Sequence, residues 1–110
     1  MEENNKLILS IINDLSRMNQ VLENMENSVR GVSSLKNRLK AIFMSLASNQ
    51  YEIPNLLGKS YHPGDNMIGT MELNDGLKPG TNRIKRVIKP QVSYQGKMIQ
   101  AAEVVIEYNE

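Results

Sequence analysis

The chain has 110 residues, no cysteine and a net charge of +1. Without cysteine there is neither a disulfide framework nor a thiolate metal site, which fits a reducing cytosol, while near-neutral charge by itself excludes little. The opening MEENNK is acidic and polar where a signal peptide needs positive charge, and the apolar run LILSII is too short to cross a bilayer, so the expectation is a soluble cytoplasmic protein with no membrane partner.

From Leu7 to Leu46 the apolar residues recur at spacings of three and four. Ile8, Ile11, Leu15, Met18, Leu22, Met25 and Val29 occupy the seam positions of successive seven-residue repeats, and Leu7, Ile12 and Val21 widen the stripe. A second series, Val32, Leu35, Leu39, Ile42 and Leu46, follows in a shifted register, with the shift on Gly31, Ser33 and Ser34, which favour helix ends and kinks. The spacing predicts a first helix from about Asn5 to Arg30 and a second from about Ser34 to Ser48, or one bent helix. Asn4 or Asn5 is suited to cap the first, with Glu2 and Glu3 at its positive end.

No other helix-like stretch exists to cover this seam, and each exposed Leu, Ile or Met forgoes roughly 1.5 to 3 kcal/mol. A second copy of the chain is the simplest cover, so a homodimer held by Ile8, Leu15, Leu22, Met25, Val29, Leu35, Leu39 and Ile42 is expected, two helices from each chain making a four-helix bundle. Asp14, Asn19, Glu26 and Ser28 at the flanking positions specify the partner only weakly. Lys36, Arg38 and Lys40 read as a solvated basic face.

After Asn49 the period changes from helical to alternating, which divides the chain into a helical dimerisation region at 1–49 and a small β domain at 50–110. Turn signals recur at HPGD (62–65), NDG (74–76), KPG (78–80) and YQGK (94–97). Between them lie candidate strands at Met67 to Leu73, Arg83 to Val92 and Lys97 to Tyr108, with a shorter one near Ile53 to Leu57. Pro90 makes the second of these an edge or a bend. In the last, Met98, Ala102, Val104, Ile106 and Tyr108 share one face, interrupted only by Gln100. The predicted class is α+β: an N-terminal helical stalk or bundle followed by a small, mostly antiparallel β domain.

Apparent chemical motifs dissolve on inspection. LGKS at 57–60 ends like a phosphate-binding loop, but Ile53 stands where the first glycine is needed and no helix pattern follows. His62, the only histidine, sits in a turn without a second ligand or nucleophile, and Glu72 and Asp75 show no matched acid and base. No catalytic constellation emerges, so the chain does not read as an enzyme, and no cofactor or metal is implied.

One charge feature stands out: Lys78, Arg83, Lys85, Arg86, Lys89 and Lys97 fall in a span without Asp or Glu. Such a patch attracts an acidic protein surface or a polyanion. Nucleic acid is disfavoured, because Tyr94 is the only aromatic in the span and acids and bases balance from residue 51 onward.

The segment from about Gly58 to Ile106 resembles the C-terminal half of the GrpE family, the nucleotide exchange factors of DnaK-type chaperones. YHP at 61–63 resembles the family's hydrophobic-Asp-Pro. MELNDGLKPGTN at 71–82 resembles its strand, acidic turn and Pro-Gly loop, and GKMIQAAEVVI at 96–106 its closing block. Four departures accompany these: Gln100 stands at the closing-block position where the family carries the Arg that meets the chaperone, Asn66 is nearest to the His after Asp-Pro, the Gly-Tyr pair is not reproduced around Val92 to Tyr94, and the N-terminal helix is much shorter.

The resemblance implies a homodimeric co-chaperone whose β domain meets the nucleotide-binding domain of a DnaK-type chaperone and promotes ADP release. Contact is expected through Pro63, Met98 and Gln100, with Arg86, Lys89 and Lys97 supplying electrostatic approach. Gln100 is either such a contact or a hydrogen-bonded core residue. The rival from another class is a dimeric coiled-coil adaptor or nucleic-acid accessory protein that uses the basic strand at 78–97.

Overall fold

A computed structural model describes the chain from residue 3, with side chains from residue 5. Its elements are α1 (Glu3–Glu23), α2 (Val32–Ser48), β1 (Tyr51–Glu52), β2 (Met67–Leu73), β3 (Asn82–Lys89), β4 (Val92–Tyr94), β5 (Lys97–Gln100) and β6 (Ala102–Tyr108). The class is α+β. The capping and charge expectations for Glu2, Glu3 and Asn4 lie outside the described side chains. Asn5 is already inside α1, where its Oδ1 accepts from the Tyr51 hydroxyl at 2.9 Å.

The two helices are separate. α1 stops at Glu23 rather than Arg30; the next stretch supplies Asn24, Asn27, Ser28 and Gly31, none of them a strong helix former, and Gly31 ends the helical stretch outright. Single turns replace the helix, with Met25 N–H bonded to Leu22 O and Val29 N–H to Glu26 O, and the Lys36 ammonium donates to Met25 O and Asn27 Oδ1 across the loop. Gly31, at φ 87°, takes the left-handed conformation that turns the chain into α2. The helices then fold back on each other around Leu22, Val32 and Leu39, with Leu15 beside them.

Part of the apolar stripe is covered within the chain, against the expectation that no other stretch of it would do so. Leu9 and Ile12 of α1 are buried against Tyr51 and Val92, with Ile8, Leu46, Ile53, Tyr94 and Ile99 around them. The run from Leu7 to Ile12 is apolar on nearly every side of the helix, so one side packs on the sheet while another remains for the hairpin. The helices therefore pack against the strands, in a molecule of 42 × 40 × 18 Å.

Among the described residues six strands form two three-stranded sheets, β1-β4-β5 and β2-β6-β3. All pairs are antiparallel except β2 with β6, which is parallel from Met67↔Ala102 to Leu73↔Tyr108. The expected second strand is divided at Pro90 into β3 and β4, since proline has no N–H for a ladder. The expected last strand divides at Ala101, where the chain passes from the first sheet into the second. The short strand expected at Ile53 to Leu57 does not form: Pro54 lies within that stretch, and the only strand nearby, β1 at Tyr51–Glu52, ends before it. Gln95 and Gly96, both at positive φ, close the β4–β5 hairpin as a two-residue turn.

The second core cluster is Ile84, Ala102, Val104 and Ile106, flanked by Leu56, Tyr61, Met67 and Val87. Gly69 belongs to this packing: a Cβ there would stand 2.6 Å from Ile106 Cδ1.

Candidate functional site

Gln100 is fully engaged inside the chain. Its Nε2 donates to Asn13 Oδ1 at 2.8 Å and to Pro90 O at 2.7 Å, while its Oε1 accepts from Asn13 Nδ2 at 3.2 Å. It thus joins α1, the bend at Pro90 and the end of β5. Of the two roles considered for it, the geometry matches the hydrogen-bonded one.

The remaining expected contact residues fall in two groups. His62 and Pro63 are exposed in a turn closed by Asp65, whose carboxylate accepts from His62 N–H at 2.9 Å and whose N–H bonds His62 O. Asn66, at the end of that turn, lies 3.5 Å from Met98 Sδ, so the turn abuts half-buried Met98, with Lys97 exposed next to it. Arg86 and Lys89 stand instead on the outer face of the other sheet.

That outer face has a geometry the residue spacing hides. The pairing Arg83↔Glu107, Arg86↔Val105 and Lys89↔Glu103 advances three residues on β3 for every two on β6, through irregularities between Ile84 and Arg86 and between Val87 and Lys89. Two extra residues, Lys85 and Ile88, are absorbed as bulges, and the three cations come into one row about 7 Å apart. Arg83 pairs with Glu107, and Lys85 reaches Glu72 at 3.4 Å, whereas Arg86 and Lys89 form no ion pair among the described residues.

Glu107, which sequence reasoning did not single out, is the buried charged residue of this face. The Arg83 guanidinium and the Asn74 amide, at 2.9 Å, both donate to its carboxylate, and these hydrogen bonds hold its pKa below the ordinary carboxylate range. Gln20 was also missed. Its side-chain amide acts as a surrogate strand for the free edge of β3, donating to Val87 O at 2.7 Å and accepting from Val87 N–H at 3.1 Å. No periodicity signals such a contact, since Gln20 is simply a polar residue beside the apolar stripe.

On the helical hairpin, Leu15, Met18, Val21, Leu22, Leu35, Leu39 and Ile42 line an open apolar groove of about 490 Å³, with Arg17 and Arg38 at its rim. Five of the eight residues expected to hold the dimer, Leu15, Leu22, Leu35, Leu39 and Ile42, meet there. Met25 and Val29 are exposed in the loop after α1, and Ile8 packs with the sheet cluster instead. No helix among the described residues is long and apolar enough to cross a membrane. Comparison of the sequence with protein-family models and with curated proteins finds no match.

Proposed function

We infer that this chain is a GrpE-like co-chaperone: a cytoplasmic homodimer whose β domain binds the nucleotide-binding domain of a DnaK-type chaperone and speeds ADP release. The observation that carries this is spatial. The three blocks that resemble the family are adjacent in the fold: Tyr61 N–H of the first donates to Asn82 Oδ1 of the second at 2.7 Å while Asn82 Nδ2 donates back to Tyr61 O at 3.0 Å, and Met71 of the second pairs with Ile106 of the closing block. A helical hairpin with an open apolar groove precedes them. Two such hairpins, groove to groove, make the four-helix bundle of the dimer.

The mechanism is binding without chemistry. A factor accelerates release only if it binds the open, nucleotide-poor chaperone more tightly than the closed one, and nucleotide then weakens its binding by the same factor. Pro63, Lys97 and Met98 present the contact, Gln100 braces the hairpin from behind, and Arg86 and Lys89, unpaired on the outer face, steer association with an acidic surface in a salt-dependent way. A polyanion-docking adaptor is the second reading, favoured by the row Arg83, Arg86 and Lys89 but opposed by Glu103 and Glu107 on the adjacent strand.

The test is retention of a DnaK-type chaperone from the source cell on immobilised protein, followed by elution with ATP. Retention that ATP reverses, and that Lys89→Glu with Lys97→Glu weakens, supports the exchange factor. Salt-sensitive recovery of nucleic acid without chaperone overturns it in favour of the adaptor.

A further inference from the structure

The β2 edge is unguarded. β2 pairs with β6 on one side, and no described residue pairs with the other. The bond from Asn74 N–H to Tyr108 O fixes which groups are open, because main-chain groups alternate sides along a strand. Ile68, Thr70 and Glu72 bond toward β6, while the N–H and C=O groups of Gly69, Met71 and Leu73 point outward. Ile68, Met71 and Leu73 are 63%, 49% and 60% exposed. The devices that normally blunt such an edge are missing: MIGTMEL contains no proline and no lysine, and its one charge, Glu72, is occupied by Lys85.

We propose that β2 pairs with β2 of a second copy of this chain, antiparallel about a two-fold axis at Met71, joining two sheets into one continuous sheet. The register selects itself. Centring on Met71 opposes Met71 to its own copy and Gly69 to Leu73, so every outward N–H and C=O group of the three residues finds a partner. Centring one residue earlier, on Thr70, brings in Met67, whose N–H is already bonded to Asp65 O, and so leaves the Leu73 carbonyl without a donor. In the favoured register the small Gly69 faces the large Leu73 and Thr70 faces Glu72, so no like charges are opposed. A foreign peptide is the weaker occupant, because the edge carries no free charge to select one. Pairing here uses a different element from the helical groove and is independent of the exchange-factor assignment. Where both surfaces engage, the assembly exceeds a dimer.

Hydrogen exchange of the pure full-length protein over a range of concentrations, with sedimentation in parallel, tests it. At high concentration the amides of Gly69, Met71 and Leu73 exchange at least about tenfold more slowly than on dilution, while Thr70 and Glu72, bonded to β6, stay protected throughout. Met71→Lys abolishes the concentration dependence and lowers the assembly size, with Thr70 and Glu72 still protected to show an intact sheet. Met71→Pro does the same, since the N–H it removes points away from β6. Leu39→Asp, which disrupts the helical groove, leaves the concentration dependence in place. Rapid exchange of Gly69, Met71 and Leu73 at every concentration overturns the proposal even if the protein is a helical dimer, as does an assembly size unchanged by Met71→Lys.

Discussion

Gln20→Ala isolates the contact that fastens α1 to the free edge of β3. It removes two hydrogen bonds to Val87, at 2.7 and 3.1 Å, each worth roughly 0.5 to 1.5 kcal/mol net. Val87 is only half-buried, so water recovers part of the loss, and the lower half of the summed range, about 1 to 2 kcal/mol, is expected. Alanine's better helix propensity returns at most a few tenths of a kcal/mol and does not change the sign. Urea unfolding reads the stability, and hydrogen exchange at the Val87 amide reads the bond itself. Gln20→Glu sharpens the experiment, because a carboxylate still accepts from Val87 N–H but faces Val87 O without a donor; it is destabilising at neutral pH and partly rescued once the carboxyl is protonated. A Gln20→Ala stability within about 0.5 kcal/mol of the parent, with Val87 equally protected, would refute the docking of α1 on β3.

Other expectations follow from the same packing. Ile12→Ala empties a fully buried position between α1 and the sheet and costs about 2 to 5 kcal/mol in denaturant unfolding. Gly69→Ala drives a methyl to 2.6 Å from Ile106 Cδ1, so the buried Ile106 side chain must shift, at a cost of about 1 to 3 kcal/mol by the same assay. Because hydrogen bonds from Arg83 and Asn74 lower the folded pKa of Glu107, its contribution is complete above the ordinary carboxylate pKa. It is lost as pH falls through the lower folded value, and Glu107→Gln flattens stability against pH in that window.

Features encoded by a single residue were legible in the sequence. Gly96 marked the β4–β5 turn, Pro90 a disturbance in the strand, though as an edge or bend rather than the division found, and the change of period after Asn49 the end of α2 at Ser48. The helix end at Glu23 was not, because the apolar spacing runs on through Met25 and Val29 although the residues between them propagate a helix poorly. Leu9 was overlooked because a seven-residue repeat describes one seam, whereas α1 carries two, one toward α2 and one toward the sheet. The basic row was visible as composition but not as geometry: spacing of three in a regular strand alternates faces, and only two bulges bring Arg83, Arg86 and Lys89 together. Gln100 was noticed as a polar break in an apolar face, but its partners, Asn13 and Pro90, come from other elements that no local pattern connects to it.

Stopped-flow release of a fluorescent ADP analogue from the cognate DnaK-type chaperone tests the exchange-factor account most directly. The account predicts faster release with the native protein and a smaller acceleration with Lys89→Glu plus Lys97→Glu, the difference shrinking as salt is raised. Unchanged release with no binding to the chaperone, from both the native protein and Gln100→Arg, would contradict it; acceleration by Gln100→Arg alone would mean that this chain keeps the architecture without the exchange activity.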